Sequence, residues 1–140
     1  MIASDRIAVP VEGIAPRRSR IAGIVCTSVA AVFLTFDTAL KVLMLGPAVE
    51  GTTSLGYPAD TVLWIGGIEL VCLTLYLVPR TAVLGAVLMT GYLGGAVATH
   101  VRISSPLLTH TLFPVYVALF LWAGLYLREP RLRALAPFRN

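Results

Sequence analysis

The amino-acid sequence predicts an all-α fold: an integral membrane antiparallel four-helix bundle with N and C termini cytoplasmic. Three observations lead there. First, the 140 residues are 57% apolar, hold only 11 basic and 7 acidic side chains and have a mean hydropathy of +0.84. Soluble domains carry roughly one quarter charged residues, and so small a chain has too much surface for its volume to hide this many apolar groups from water. Second, the charges are segregated: six lie in residues 1–20, five in 128–140, and seven in all of 21–127. Third, four apolar blocks, 21–45, 61–78, 81–99 and 111–127, have the length of a membrane helix, for which about 17–25 residues are needed.

Residues 1–19 contain Pro10, Pro16, Arg17 and Arg18 and read as a disordered cytoplasmic tail. The apolar stretch after them begins too late and runs too long for a cleaved signal peptide. The transmembrane domain spans 20–128. Its first helix, about 21–45, is stopped by Gly46-Pro47, and Gly56-Tyr57-Pro58 precedes the second, about 61–78. Pro79-Arg80 makes a tight turn into the third, about 81–99, which Ser104-Ser105-Pro106 separates from the fourth, about 111–127. Such Gly, Pro and Ser clusters are turn signals, so the hairpins are antiparallel. Helices are expected because an isolated strand cannot satisfy its backbone in lipid, and no ten-residue alternating pattern points to a barrel. Residues 129–140 form a basic cytoplasmic tail. Lys and Arg orient the chain: four in residues 1–20, Arg80 in the turn and four in residues 128–140 stand against Arg102 alone in the two opposite loops. By the positive-inside rule this is a multi-pass, N-in/C-in protein of the cell inner membrane.

Several function classes recede. The arginines flank apolar blocks and form no aromatic-interleaved stripe, so no nucleic acid is expected as a partner. Cys26 and Cys72 sit inside apolar blocks without a CxxC or a zinc spacing, which excludes a disulfide-stapled secreted fold. In an antiparallel hairpin the two lie at similar depth, and inert apolar filler is the plainer reading. His100 and His110 straddle Pro106 with no carboxylate at helical spacing, so no metal site is predicted.

What remains is a small set of intramembrane polar groups. Asp37 and Lys41 are four apart, on one face of the first helix, where they can pair. Glu69 lies in the second helix. A charged residue at the centre of a membrane helix costs about 2.5–3.5 kcal/mol, so three of them call for an explanation, either a structural ion pair that fixes helix register or a functional site. At about 1.5 Å per residue, Asp37 and Glu69 both fall at or beyond the midplane, toward the outer leaflet. Tyr92, Ala96 and His100 share a stripe on the third helix, beside Gly91, Gly95 and Thr99. Gly91-xxx-Gly95 reads as a close-packing motif, and Gly66, three before Glu69, leaves room beside the carboxylate for a ligand or for a partner backbone. The catalytic candidates are therefore Asp37, Lys41, Glu69 and His100, and the ligand-binding candidates Gly66, Tyr92 and Gly95.

Taken together, Asp37-xxx-Lys41, Leu55-Gly56-Tyr57-Pro58, Gly66-xx-Glu69, Pro79-Arg80, Tyr92-x-Gly94 with His100, and Trp122 followed by Leu127-Arg128-Glu129-Pro130-Arg131-Leu132-Arg133 resemble the DoxX-like family of small four-helix bacterial membrane proteins, over about residues 20–135. The resemblance implies a membrane redox setting, since the family takes its name from a subunit of a thiosulfate:quinone oxidoreductase, and Lys41, Glu69 and His100 match its polar positions. Other four-helix relatives are assembly chaperones. The absence of a CxxC pair sets this sequence apart from dithiol chemistry. Three functions are thus carried forward. One is a redox-linked subunit binding a lipophilic molecule or quinone in an outer-leaflet polar pocket. Another is a non-catalytic assembly or interaction protein of a membrane complex. The last is an acid–base, isomerase-like enzyme on a lipid-soluble substrate. The expected partners are the lipid bilayer and a membrane redox partner or a second copy of the chain.

Overall fold

A computed structural model describes residues 17–130 and 132. Most of the predicted N-tail lies outside the described residues, although Arg17–Ser19 already belong to the first helix, and the C-tail lies outside them apart from residues 129, 130 and 132. Among the described residues five α-helices form: α1 (Arg17–Val42), α2 (Gly46–Ser54), α3 (Thr61–Leu77), α4 (Ala82–Arg102) and α5 (Phe113–Arg128), with a π turn at Leu107–Thr111 leading into α5. No strand occurs among the described residues.

The short α2 is an addition to the four expected helices. Gly46-Pro47 reads in the sequence as a stop, and it does follow the end of α1, but a proline in the first turn of a helix loses no hydrogen bond, and here it opens one. The stop itself comes earlier than Leu45. Met44 adopts φ 53°, with Met44 N–H donating to Lys41 O and Leu45 N–H to Leu40 O, the Schellman pairing that terminates helices. The same device ends α4, with Ser104 at φ 55° and bonds from Ser104 to Val101 O and Ser105 to His100 O. Helix α4 thereby extends three residues past Thr99.

The four long helices close a ring in the order α1, α3, α4, α5, each in contact with two neighbours. Neighbours are antiparallel: Thr27 of α1 meets Tyr76 late in α3 while Lys41 meets Glu69 earlier in it, and the α3–α4 turn is closed by Thr81 Oγ1 donating to Leu75 O at 2.8 Å. Buried residues recur every three or four positions, as Gly23, Thr27, Ala30, Leu34 and Thr38 do on α1, giving the inward stripe of a packed helix. The outward faces are apolar as well; Val32 is 71% and Trp64 74% exposed. In water these faces would be unstable, whereas against hydrocarbon they are at home. Three segments, Arg17–Val42, Ala82–Arg102 and Leu107–Arg128, are long and apolar enough to cross a membrane, and α3 is an apolar helix of 17 residues.

Where helix meets helix in lipid, small residues let backbones approach and dispersion replaces the hydrophobic drive. Gly85 packs directly on the backbone of Leu75 and Tyr76. Gly124 does the same against Thr27, and Gly23 against Gly124 and Arg128. At this end Tyr76, fully buried, places its hydroxyl 3.0 Å from Leu121 O and 3.3 Å from Thr27 Oγ1, tying α1, α3 and α5 together.

Gly85→Ala should therefore lower stability by about 1–3 kcal/mol, the range for overpacking, because its Cβ would enter the Tyr76 backbone. Gly94→Ala, where a Cβ would meet nothing within 4 Å, should be neutral or stabilising by up to about 1 kcal/mol through helix propensity. Unfolding midpoints of the two variants in mild detergent check this; equal midpoints would contradict the packing described.

Candidate functional site

The opposite end of the ring is hollow. A cavity of about 550 Å³ is bounded by all four long helices and roofed by Thr52 of α2 with Leu55 and Tyr57 of the following loop. Its walls are mainly apolar, including Leu34, Ile65, Leu93 and Val117, with Phe33 and Phe113 meeting edge to face at 5.2 Å.

One polar network lies in this wall. Lys41 Nζ donates to Asp37 Oδ2, to Glu69 Oε2 at 2.8 Å and to the Tyr92 hydroxyl at 3.0 Å. The Tyr92 hydroxyl in turn donates to Glu69 Oε2 at 2.9 Å. An ammonium has three donors and no acceptor, so Lys41 is fully used. The side chains differ in access: Glu69 is 0% exposed, Lys41 15% and Asp37 34%. Asp37 is thus the most accessible member of the network and Glu69 the most deeply buried. Glu69 Oε1 is buried with no hydrogen-bond partner. Two carboxylates face one ammonium, and one of the four carboxylate oxygens is left sealed and unpaired.

Backbone geometry aims these groups. Lys41 stands one turn after Asp37 on α1, and Gly66 of α3 lets that turn approach: a Cβ at Gly66 would lie 2.7 Å from Lys41 Cβ and 3.1 Å from Val42 N. Of the two uses foreseen for Gly66, the structure selects the partner backbone, and Gly66 is not in the cavity wall. Glu69, three residues later on the same face, then meets the Lys41 ammonium. Gly91 and Gly95, read as a packing motif, behave oppositely. Both line the cavity and neither has an atom within 4 Å of its Cβ position, so they widen the cavity rather than seat a helix within this chain.

His100 also lines the cavity but bonds elsewhere, its Nδ1 lying 3.0 Å from Ser105 Oγ and its ring edge-on to His110 with centroids 6.0 Å apart. The structure thus joins Asp37, Lys41, Glu69 and Tyr92 directly, and sets Gly95 and His100 around the same space. No group of three or more His, Cys, Asp or Glu among the described residues could hold a metal ion.

The roof is what sequence reasoning missed. Tyr57, read only as part of the turn before the second helix, places its hydroxyl 2.9 Å from Thr99 Oγ1. Arg102 donates to Leu55 O and lies 5.9 Å from the Tyr57 ring centre. Gly56 at φ +87° turns the chain beneath that guanidinium, which a Cβ would approach to 3.2 Å. The signal was Arg102 itself, the lone basic residue that the sequence places between the predicted helices at this end.

A family model described as the DoxX-like family matches residues 25–124. No curated protein and no solved structure matches the chain.

Removing Lys41 alone should strand two carboxylates at the cavity. Lys41→Met is expected to cost about 3–5 kcal/mol, as for a broken buried pair, whereas Lys41→Met with Glu69→Leu, which also deletes the buried charge, should recover most of it. Denaturant titrations in detergent read both; a double variant as unstable as the single one would refute the pairing.

Proposed function

The chain belongs to the DoxX-like family, and on that premise we propose that it is a membrane subunit binding a lipophilic small molecule of quinone type in the polar pocket, at a redox-linked step. The observation that carries the reading is Glu69, a buried carboxylate with one unpartnered oxygen, on a side chain that lines a mainly apolar cavity of about 550 Å³. Ligand sites are commonly about 300–1,000 Å³, apolar, with a few convergent polar groups. A buried acceptor without a partner is unfavourable by about 1–3 kcal/mol, and a ligand group or a proton relieves it.

Quinone and hydroquinone interconvert by two electrons and two protons. In this reading a membrane redox partner exchanges the electrons, and the chain handles binding and protons. Lys41 holds both carboxylates in place, Glu69 Oε1 is the group that takes or gives a proton inside the cavity, and Asp37, one-third exposed, passes it to the outside through the Lys41 network. Tyr92 steadies Glu69 Oε2. His100, at the far wall, is a second polar contact. The same orphan carboxylate oxygen also favours a second reading, proton abstraction from a lipid-soluble substrate by an isomerase-like enzyme; conversion of a lipophile with no electron acceptor present separates the two. An assembly role is tested by mild-detergent capture from membranes, where a partner recovered equally by wild type and by pocket variants would favour it.

The Lys and Arg distribution supports both termini in the cytoplasm and the pocket toward the outer leaflet. A reporter active only outside the cytoplasm should work when fused after Ser104 and fail when fused at Arg80 or the C terminus; the reverse pattern would invert the topology. For the ligand, purified protein should bind a decyl-tailed 1,4-benzoquinone or its reduced form, and Glu69→Gln, Tyr92→Phe and Lys41→Met with Glu69→Leu should each weaken binding at least tenfold while remaining folded. Unchanged binding in all of these folded variants would reject the pocket as the site.

A further inference from the structure

The four seams between the long helices are not equally shut. Gly66 seats α3 on the α1 backbone, the Phe33 and Phe113 rings meet across α1 and α5, and Trp122 Nε1 donates to Thr90 Oγ1 at 2.8 Å across α4 and α5. Between α3 and α4 the closures are spaced apart. Tyr92 bonds Glu69 at one height, and Thr99 bonds Tyr57, in the loop entering α3, at another; the seven residues of α4 from Tyr92 to Thr99 rise about 10 Å at about 1.5 Å per residue. Ile65 and Ile68 flank this stretch on α3, Gly91 and Gly95 flank it on α4, and all four line the cavity. They also reach the outer surface. Ile68 is 56% exposed and both glycines are exposed. Residues three and four apart share a helix face, and Gly91 and Gly95 continue a face of α4 that runs through Leu84 and Leu88 to Ala98 and Arg102, exposed at every one of these positions. That lipid-facing stripe carries leucines toward the packed end and no side chain beside the cavity, where a Cβ on either glycine would meet nothing within 4 Å. Ile68, Gly91 and Gly95 are therefore cavity wall and outer surface at once, and the cavity is open to lipid between them.

Resting on the quinone-type reading above, we infer that the pocket takes a ring-headed lipid with one long hydrocarbon chain, the ring in the cavity and the chain running out between Ile68 and the Gly91–Gly95 face into the bilayer. The end of the cavity is roofed, with the Tyr57 loop pinned by Thr99 and by Arg102 on Leu55 O, so the way out that avoids water is sideways. A chain in that seam keeps its apolar surroundings, whereas each methylene pushed into water would cost about 0.8 kcal/mol. Entry and exit then run in the plane of the membrane, and a head group passing the seam moves beside Tyr92, whose hydroxyl belongs to the polar network. Gly91 and Gly95 become specificity-determining positions: they admit a chain because they place no side chain in the opening.

Two probes test this on the intact protein in one detergent at one concentration: trimethyl-1,4-benzoquinone without a chain, and the same ring carrying a decyl chain. The readout is the ratio of tailed to tail-less affinity, in which partition of the chain into micelles cancels between variants. In Gly91→Leu with Gly95→Leu, which carries the Leu84–Leu88 stripe across the opening, the ratio should fall by about tenfold or more, the equivalent of about two methylenes losing their apolar surroundings. In Gly94→Leu, which adds the same side chain at an exposed position outside the cavity wall, it should stay at the wild-type value. Unfolding midpoints establish that each variant is folded, and Gly95→Leu alone is read in the same way if the double variant is not. An unchanged ratio in the folded variant, or an equal fall in Gly94→Leu, overturns the inference and leaves the quinone-type reading standing. A wild type that binds only the tailed probe also overturns it, because the ring is then not what the pocket holds. If neither probe binds the wild type, the quinone-type reading itself fails and the inference with it.

Discussion

An ammonium buried among apolar helices has to be matched by acceptors along all three N–H directions, and much of this structure follows from how Lys41 meets that requirement. Its partners come from α1, α3 and α4: Asp37 one turn before it, Glu69 from the neighbouring helix and Tyr92 from the next. A slip of one residue between any two of these helices would strand a charge in a low-dielectric medium, which is far costlier than a lost apolar contact. The network thus locks register where hydrocarbon contacts, non-directional by nature, cannot. Gly66 is a corollary. Without its missing side chain the α1 backbone at Lys41 and Val42 could not come near enough for the ammonium to reach Glu69.

Helix α5 stands outside this network, and that shapes the cavity. It contributes Phe113, Pro114 and Val117 to the wall and no charge, so the pocket has one polar side and one apolar side. At the other end of the molecule α5 is drawn in tightly, because Gly124 meets Thr27 and Leu121 O accepts from Tyr76. The ring is therefore packed at one end and open at the other. The open end is closed over by the α2 segment and the Tyr57 loop, held down by Thr99 and Arg102. The position of this cavity coincides with the buried charges.

Fold class was legible because lipid imposes a simple rule: apolar stretches of sufficient length become helices whatever their detailed sequence. The i,i+4 pairing of Asp37 and Lys41 was legible too, since helical periodicity alone places them together. Tyr92 could be set on a stripe with His100, but periodicity is silent on which neighbour that stripe faces. Glycines were the least legible residues. Gly66, Gly91 and Gly95 look alike in sequence, yet the first seats a backbone while the other two face open space; a glycine's role depends on what lies opposite, which is a long-range fact. The α2 helix was hidden for a different reason. Gly-Pro stops one helix and starts another with equal ease, and only the left-handed turn at Met44 decides where one ends.

By itself, then, the sequence determined that this is an all-helical membrane protein, which segments are its long apolar helices, and which few ionisable side chains must find partners away from water. These are matters of composition and local period, and lipid enforces them. Tertiary structure alone decided that two carboxylates share one ammonium, that every donor of Lys41 and Tyr92 is consumed, and that Glu69 Oε1 is left buried without a partner. Hydrogen bonds have direction and saturate; their surplus or deficit appears only once the helices are brought together in space.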